Sequence, residues 1–253
     1  MTTHSPSDSS PSGFTLWAVF RRDPALARGA QPHDNGDQHQ SPDASALAAE
    51  LQDTVDRVTA AGGTGDTGGT GGPVTLRGWY DVSGLRADAD LMVWLHGDRA
   101  EDLQWALREL RRTSVIAQLL PTWNALGVHR EAEFNRAHVP GFLRGESARD
   151  WLVLYPFVRD AEWYLLPDAD RGRMLADHGR KGAEFRGVVA NTVSAFALGD
   201  YEWLLPMESD DLTELVDLMR TLRATDARRH MREETPFFTG RRIAVSEVPG
   251  VLR

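Results

Sequence analysis

Apolar residues recur along this chain in two rhythms. At Leu47, Leu51, Val55 and Val58 the spacing is that of one helix face, and Leu103, Ala106, Leu107 and Leu110 repeat it inside "DRAEDLQWALREL". Between these helices lie two runs of strand composition, "VTLRGWYDV" and "DLMVWLHG", joined by "SGLRADA". An earlier run, "FTLWAVF", also reads as a strand. Asp98 and Glu101 stand at the spacing of a capping box before the second helix. The first region therefore predicts strand, helix, strand, strand, helix.

That order recurs downstream. "WLVLYPFV" predicts a strand, residues 168–185 a helix, "NTVSAFAL" and "YEWLLPM" two strands turned tightly at Gly199 and Asp200, and 210–223 a helix. Leu212, Leu215, Val216, Met219 and Leu222 form the expected buried stripe of the last helix. Ser209 offers a hydroxyl to cap its free amides, and Asp210 and Asp211 complement its dipole. A final short strand is expected in "TPFFTGRR". Two copies of this split order predict an α+β fold of two ferredoxin-like halves, 14–145 and 146–253, whose antiparallel sheets join into a barrel with helices outside. Residues 1–13 are Ser/Pro-rich and read as a disordered tail, and polar stretches near 22–43 and 62–73 as flexible insertions. The second of these, "AGGTGDTGGTGG", lacks the Gly-Lys-Ser/Thr ending of a phosphate loop and reads as a linker.

Composition narrows the chemistry. With 253 residues, 41% of them hydrophobic, the chain can bury a substantial core. Its net charge of -9 argues against a nucleic-acid partner. The absence of cysteine excludes disulfides, thiolate catalysis and cysteine-held metals, so bound iron must rest on histidine or oxygen. "MTTHSPSDSSPSG" has no basic or apolar signal region, and no run approaches the roughly 18 apolar residues of a membrane span, so a cytoplasmic protein is expected.

Candidate chemistry gathers in the second half. In "MLADHGRKGAEF", His178 shares a helix side with Met174, Leu175, Gly182 and Phe185, which suits either a hydrogen-bonded core histidine or the ligand of a flat cofactor. Tyr155 and Arg159 fall on one strand face with Trp151, Val153 and Phe157, separated by roughly 13 Å, the scale of a porphyrin. The alternative is a core tyrosine and a surface arginine, and Pro156 suggests an edge or bulge there. His129 and His138 have no recognised metal-site spacing, and either suits a surface position. Arg228, Arg229, Arg232, Arg241 and Arg242 form a group that is normally solvated but also suits the carboxylates of a ligand.

The segments "GVHREAEFNRAHVPGFLRG", "YPFVRDAEWYLLP", "HGRKGAEF", "NTVSAFALGDYEW" and "LVDLMRTLRATDARRHMREETPFFTGRR" together resemble the coproheme decarboxylases of actinobacteria, within the chlorite dismutase-like family. The resemblance spans nearly all of 74–243 and "FTLWAVF". It implies a dimeric-type α+β barrel, assembled as a homopentamer, with the porphyrin in the C-terminal half. It further implies peroxide-dependent oxidative decarboxylation of iron coproporphyrin III (coproheme) to heme b through a monovinyl intermediate, with a coproporphyrin ferrochelatase as a partner. His178 matches the proximal iron ligand, Tyr155 the redox tyrosine and His138 the distal base. Arg159 and Arg228 match partners of propionates, and Trp163 a tryptophan near the porphyrin. Other heme enzymes of this fold remain alternatives, although "NTVSAFALG" offers no distal arginine of the chlorite dismutase kind. A heme carrier or a cofactor-free interaction protein are the non-enzymatic readings.

Overall fold

The computed structural model describes residues 13–25, 43–60, 74–130 and 139–252. The expected tail up to residue 12, and most of both polar insertions, lie outside the described residues.

In chain order the first half runs β1 (Phe14–Arg22), α1 (Ala44–Thr59), β2 (Val74–Arg86), β3 (Ala89–Gly97), α2 (Ala100–Arg112) and β4 (Leu119–Val128). The second runs β5 (Trp151–Arg159), α3 (Ala161–Leu165), α4 (Asp168–Gly182), β6 (Val189–Ala190), β7 (Val193–Ser194), β8 (Trp203–Ser209), α5 (Leu212–Leu222), β9 (Met231–Glu233), β10 (Phe238–Ile243) and α6 (Val248–Val251). The strands close a ring in the order β8, β7, β4, β1, β3, β2, β10, β5 and back to β8. This is the expected α+β barrel.

The closure explains the near-continuous apolar runs of β1, β3 and β5, because these strands are covered on both faces. On β1, Trp17 and Val19 point into the barrel while Leu16, Ala18 and Phe20 point outward under α1 and α2. On β5, Leu152 and Leu154 point inward, whereas Val153 and Tyr155 face the helices of the second half. The halves meet at two seams, β4 with β7 and β2 with β10, and each seam depends on a glycine. A Cβ on Gly127 would come within 2.4 Å of Val193, and one on Gly240 within 2.8 Å of Tyr80 and Val82. A buried ion pair also links the halves: Arg77 of β2 donates to Glu208 of β8 through Nε at 2.9 Å and Nη2 at 2.6 Å.

Several local expectations are corrected. Strand β4 has no counterpart in the sequence reading, because Pro121, Asn124 and Gly127 obscure it and a bulge opposite Val19 and Phe20 breaks its alternation. The Asp98–Glu101 capping box does not form: Arg99 is the N-cap, and Glu101 pairs with the Arg99 side chain instead. On α5 the capping side chain is Asp211, which accepts from the Thr213 amide, while Ser209 Oγ accepts from the Asp211 amide just before the helix. The inner face of α5 centres on Leu215 and Leu218, so Val216, about 100° round the helix from Leu215, is exposed. Pro156 lies in a strand paired on both sides, at the gap between Leu154, the last residue paired with β10, and Val158, the first paired with β9. His129 is buried, with its amide donating to the Gly13 carbonyl at 2.9 Å.

The two halves differ in how helices cover the sheet. In the first, Leu51, Val55 and Val58 of α1 and Leu103, Ala106 and Leu110 of α2 are buried against the outer sheet face. In the second, α4 buries no residue at all, and its inner stripe of Met174, Leu175, His178 and Lys181 is only half-buried. The sheet under α4 is therefore left with unfilled space.

Candidate active site

That space is a partly open cavity between β5 and the helices α4 and α5. Tyr155, Phe157 and Arg159 line it from β5, His178 from α4, and Met219 and Leu222 from α5. The segment from Arg223 to Glu234, with Thr225, Ala227, Arg228 and Met231, forms its rim. The strand alternation thus brings Tyr155 and Arg159 into one space with His178.

His178 Nδ1 lies 3.3 Å from Thr225 Oγ1. The Thr225 hydroxyl donates to the Leu222 carbonyl at 2.8 Å, so it faces the imidazole as an acceptor. Nδ1 must then carry the hydrogen, which leaves Nε2 with a free lone pair. Burial, with the nearby Arg159 charge adding to it, holds His178 below the ordinary histidine range and favours the neutral ring. Helix α4 ends at Gly182, so Phe185 packs from beyond the helix and not from its face, and an added Cβ on Gly182 would meet nothing within 4 Å.

Tyr155 is 4% exposed, stacks on Phe237 with ring centroids 4.4 Å apart, and donates to Met219 Sδ at 3.6 Å. Burial, reinforced by the Glu234 charge, pushes its phenol well above the usual value, so it stays protonated at neutral pH. The Arg159 guanidinium lies over the Trp163 ring at 4.1 Å and donates to the Ala227 carbonyl at 2.9 Å. Burial pulls it down to about 10, which still leaves it a cation. Trp163 is buried behind Arg159 and is not among the cavity-lining residues. Arg228 does line the cavity, and Arg228 and Arg223 both pair with Glu234. Arg229, Arg232, Arg241 and Arg242 are exposed. His138 lies outside the described residues.

Sequence reasoning missed Thr225, Arg223, Glu234, and the pair of His230 with Asp160, whose carboxylate also caps α3 by accepting from the Trp163 amide. Thr225 lies 47 residues from His178 and meets it only through the packing of α4 on α5, so no spacing rule reveals it. Among the described residues no group of three or more His, Asp or Glu side chains is placed to hold a bare metal ion. What the site offers is one neutral imidazole above an apolar slot, a protonated phenol within, and guanidinium groups at the rim.

The sequence profile of the chlorite dismutase family matches residues 44–243. The chain belongs to the chlorite dismutase family. A relative in this family, the coproheme decarboxylase of Mycolicibacterium smegmatis, is 56% identical over 176 residues, which are 69% of this chain and 76% of that one. Among solved structures, a mutant chlorite dismutase from Candidatus Nitrospira defluvii superposes with a TM-score of 0.75 at 19% identity, covering 95% of this chain and 96% of the other. The chlorite dismutase of that organism in complex with imidazole gives a TM-score of 0.74 at 19% identity, covering 94% of each chain. These structural likenesses establish the barrel fold of the chlorite dismutase family for this chain. No helix among the described residues is long and apolar enough to cross a membrane.

Proposed function

We propose that this chain is a coproheme decarboxylase, which converts coproheme to heme b by two peroxide-dependent oxidative decarboxylations through a monovinyl intermediate. One observation carries the reading: a neutral imidazole with a free Nε2 shares a cavity with a buried, protonated tyrosine and with arginines. The 56% identity to a relative named coproheme decarboxylase supports it. The donor set suits iron already held in a porphyrin, which needs one axial imidazole, and suits a bare ion poorly.

Coproheme is the substrate, and its iron supplies the activation of peroxide. His178 ligates it through Nε2, with Thr225 holding the ring in the required tautomer. His138 is assigned from the sequence as the distal base that takes a proton from peroxide. Arg159 and Arg228 hold propionate carboxylates, fixing which side chain reaches Tyr155. Trp163 supports Arg159 from behind. Tyr155 gives up its hydroxyl hydrogen and the resulting radical takes a hydrogen atom from a propionate. The propionate radical then gives its remaining electron to the second oxidising equivalent of the peroxide, breaks its bond to the carboxylate, releases carbon dioxide and becomes a vinyl group. Each turnover consumes one propionate, one peroxide and one proton, and yields one vinyl, one carbon dioxide and two waters. In this reading the enzyme is a cytoplasmic homopentamer supplied by a coproporphyrin ferrochelatase.

Replacing Tyr155 with phenylalanine tests the assignment. Y155F should bind coproheme with the wild-type absorption spectrum and show no loss of carboxyl groups by mass after peroxide is added. Wild-type turnover in Y155F would overturn the role given to Tyr155.

A further inference from the structure

Two of the cations at the cavity rim already have a carboxylate partner. Arg228 Nη1 lies 3.0 Å from Glu234 Oε2, and Arg223 bonds the same oxygen. Both arginines are about two-fifths exposed, while the Glu234 side chain is only 13% exposed and lines the cavity. Glu234 also acts electrostatically on Tyr155, so this cluster lies beside the reacting position. A propionate placed for reaction with Tyr155 enters a site where a carboxylate of the protein holds the arginines.

We propose that Glu234 is a specificity-determining residue that exchanges with a substrate carboxylate: a propionate displaces it from Arg223 and Arg228, and the loss of that propionate returns both arginines to Glu234. The proposal rests on the porphyrin reading given above. It follows from charge balance at a rim where the Glu234 carboxylate is mostly buried and its two arginine partners are part-exposed. With a propionate present, three cations (Arg159, Arg223 and Arg228) face substrate carboxylates, and Glu234 is a competitor. Once the propionate has become a vinyl group, the displaced and mostly buried Glu234 carboxylate would stay without its partners, which is unfavourable. Glu234 removes that penalty by re-pairing. The same exchange loosens the half-finished porphyrin at the moment when it must present its second propionate.

Metal-free porphyrins test this without any turnover and without the iron–His178 bond. Fluorescence titrations compare coproporphyrin III, which keeps all propionates, with protoporphyrin IX, which carries vinyl groups at the reacting positions. Each half-exposed ion pair is individually weak, and two together set the size of the effect. Glu234→Gln should tighten coproporphyrin III by about tenfold and leave protoporphyrin IX unchanged or weaker, so that the ratio of the two dissociation constants changes by about tenfold. Glu234→Asp, which keeps the carboxylate, should restore the wild-type ratio. Arg228→Gln should weaken coproporphyrin III more than protoporphyrin IX. An unchanged ratio in Glu234→Gln, or an equal gain for both porphyrins, would overturn the exchange while leaving the porphyrin site standing. If wild-type protein bound neither porphyrin, the functional reading would fall and the exchange with it.

Discussion

Replacing Arg77 with methionine removes the cation that joins the two halves inside the barrel. Glu208 is fully buried and accepts from Arg77 Nε and Nη2, from Asn191 Nδ2 at 3.1 Å and from the Arg149 amide at 3.4 Å. Arg77 in turn donates to the Glu146 carbonyl at 3.0 Å and lies 5.0 Å over the Trp94 ring. Methionine keeps much of the apolar stem but leaves the carboxylate with two neutral donors. An uncompensated buried charge of this kind costs about 3–5 kcal/mol, which lowers Tm by about 10 °C in a chain of this size. The pH dependence separates this cause from lost packing. Burial already holds the Glu208 carboxyl above its ordinary range, and the Arg77 bonds pull it back down. Without Arg77 the folded-state pKa rises further above that of the unfolded chain. The folded variant then binds a proton more readily than the unfolded one, so its deficit shrinks as pH falls through that raised value. Relief of His96, which the Arg77 charge helps hold at about 4, acts in the same direction. Thermal melts of wild type and R77M at about pH 7.5 and about pH 5.5 read both effects. A variant as stable as wild type at the higher pH, or a deficit that does not shrink at the lower one, would refute the argument.

Three further outcomes follow from other residues. Thr225→Val removes the acceptor that fixes the His178 tautomer; coproheme affinity should fall by about tenfold, the scale of losing an outer-shell partner, with a changed iron spin state by absorption or electron paramagnetic resonance. Gly240→Ala forces a Cβ against Tyr80, Val82 and the Asp81 carbonyl and should lower Tm by several degrees, whereas Gly199→Ala, which meets nothing within 4 Å, should melt within a degree or two of wild type. His96 is held at about 4, chiefly by burial and then by Arg77, so the folded state resists its protonation. Stability should therefore decline as pH falls from about 6.5 towards about 4, by at most about 3 kcal/mol, and urea melts of His96→Asn should show a shallower decline.

The barrel was legible because its strands carry strong apolar composition and its helices a clean stripe. Strand β4 was not, since proline, asparagine and glycine within it hide a strand whose pairing is set mainly by β1. For the site, period two along β5 was enough to bring Tyr155 and Arg159 together, and helical spacing gave His178 its inward face. Arg228 was selected through resemblance, and it does line the cavity. The roles of Thr225 and Glu234 were invisible for a physical reason. Each acts through partners on other elements, set by how α5 and the rim segment pack against α4, and pairings of that kind have no signature in local sequence. The same holds for Glu208, whose partner Arg77 is 131 residues away.

The most direct test of the account is an anaerobic titration of the protein loaded with ferric coproheme, adding peroxide and separating the porphyrins by mass. The account predicts successive loss of two carboxyl groups, with a monovinyl species at the halfway point and heme b at two peroxides per coproheme. Peroxide consumption with the coproheme mass unchanged, or with destruction of the ring and no vinyl product, would contradict it.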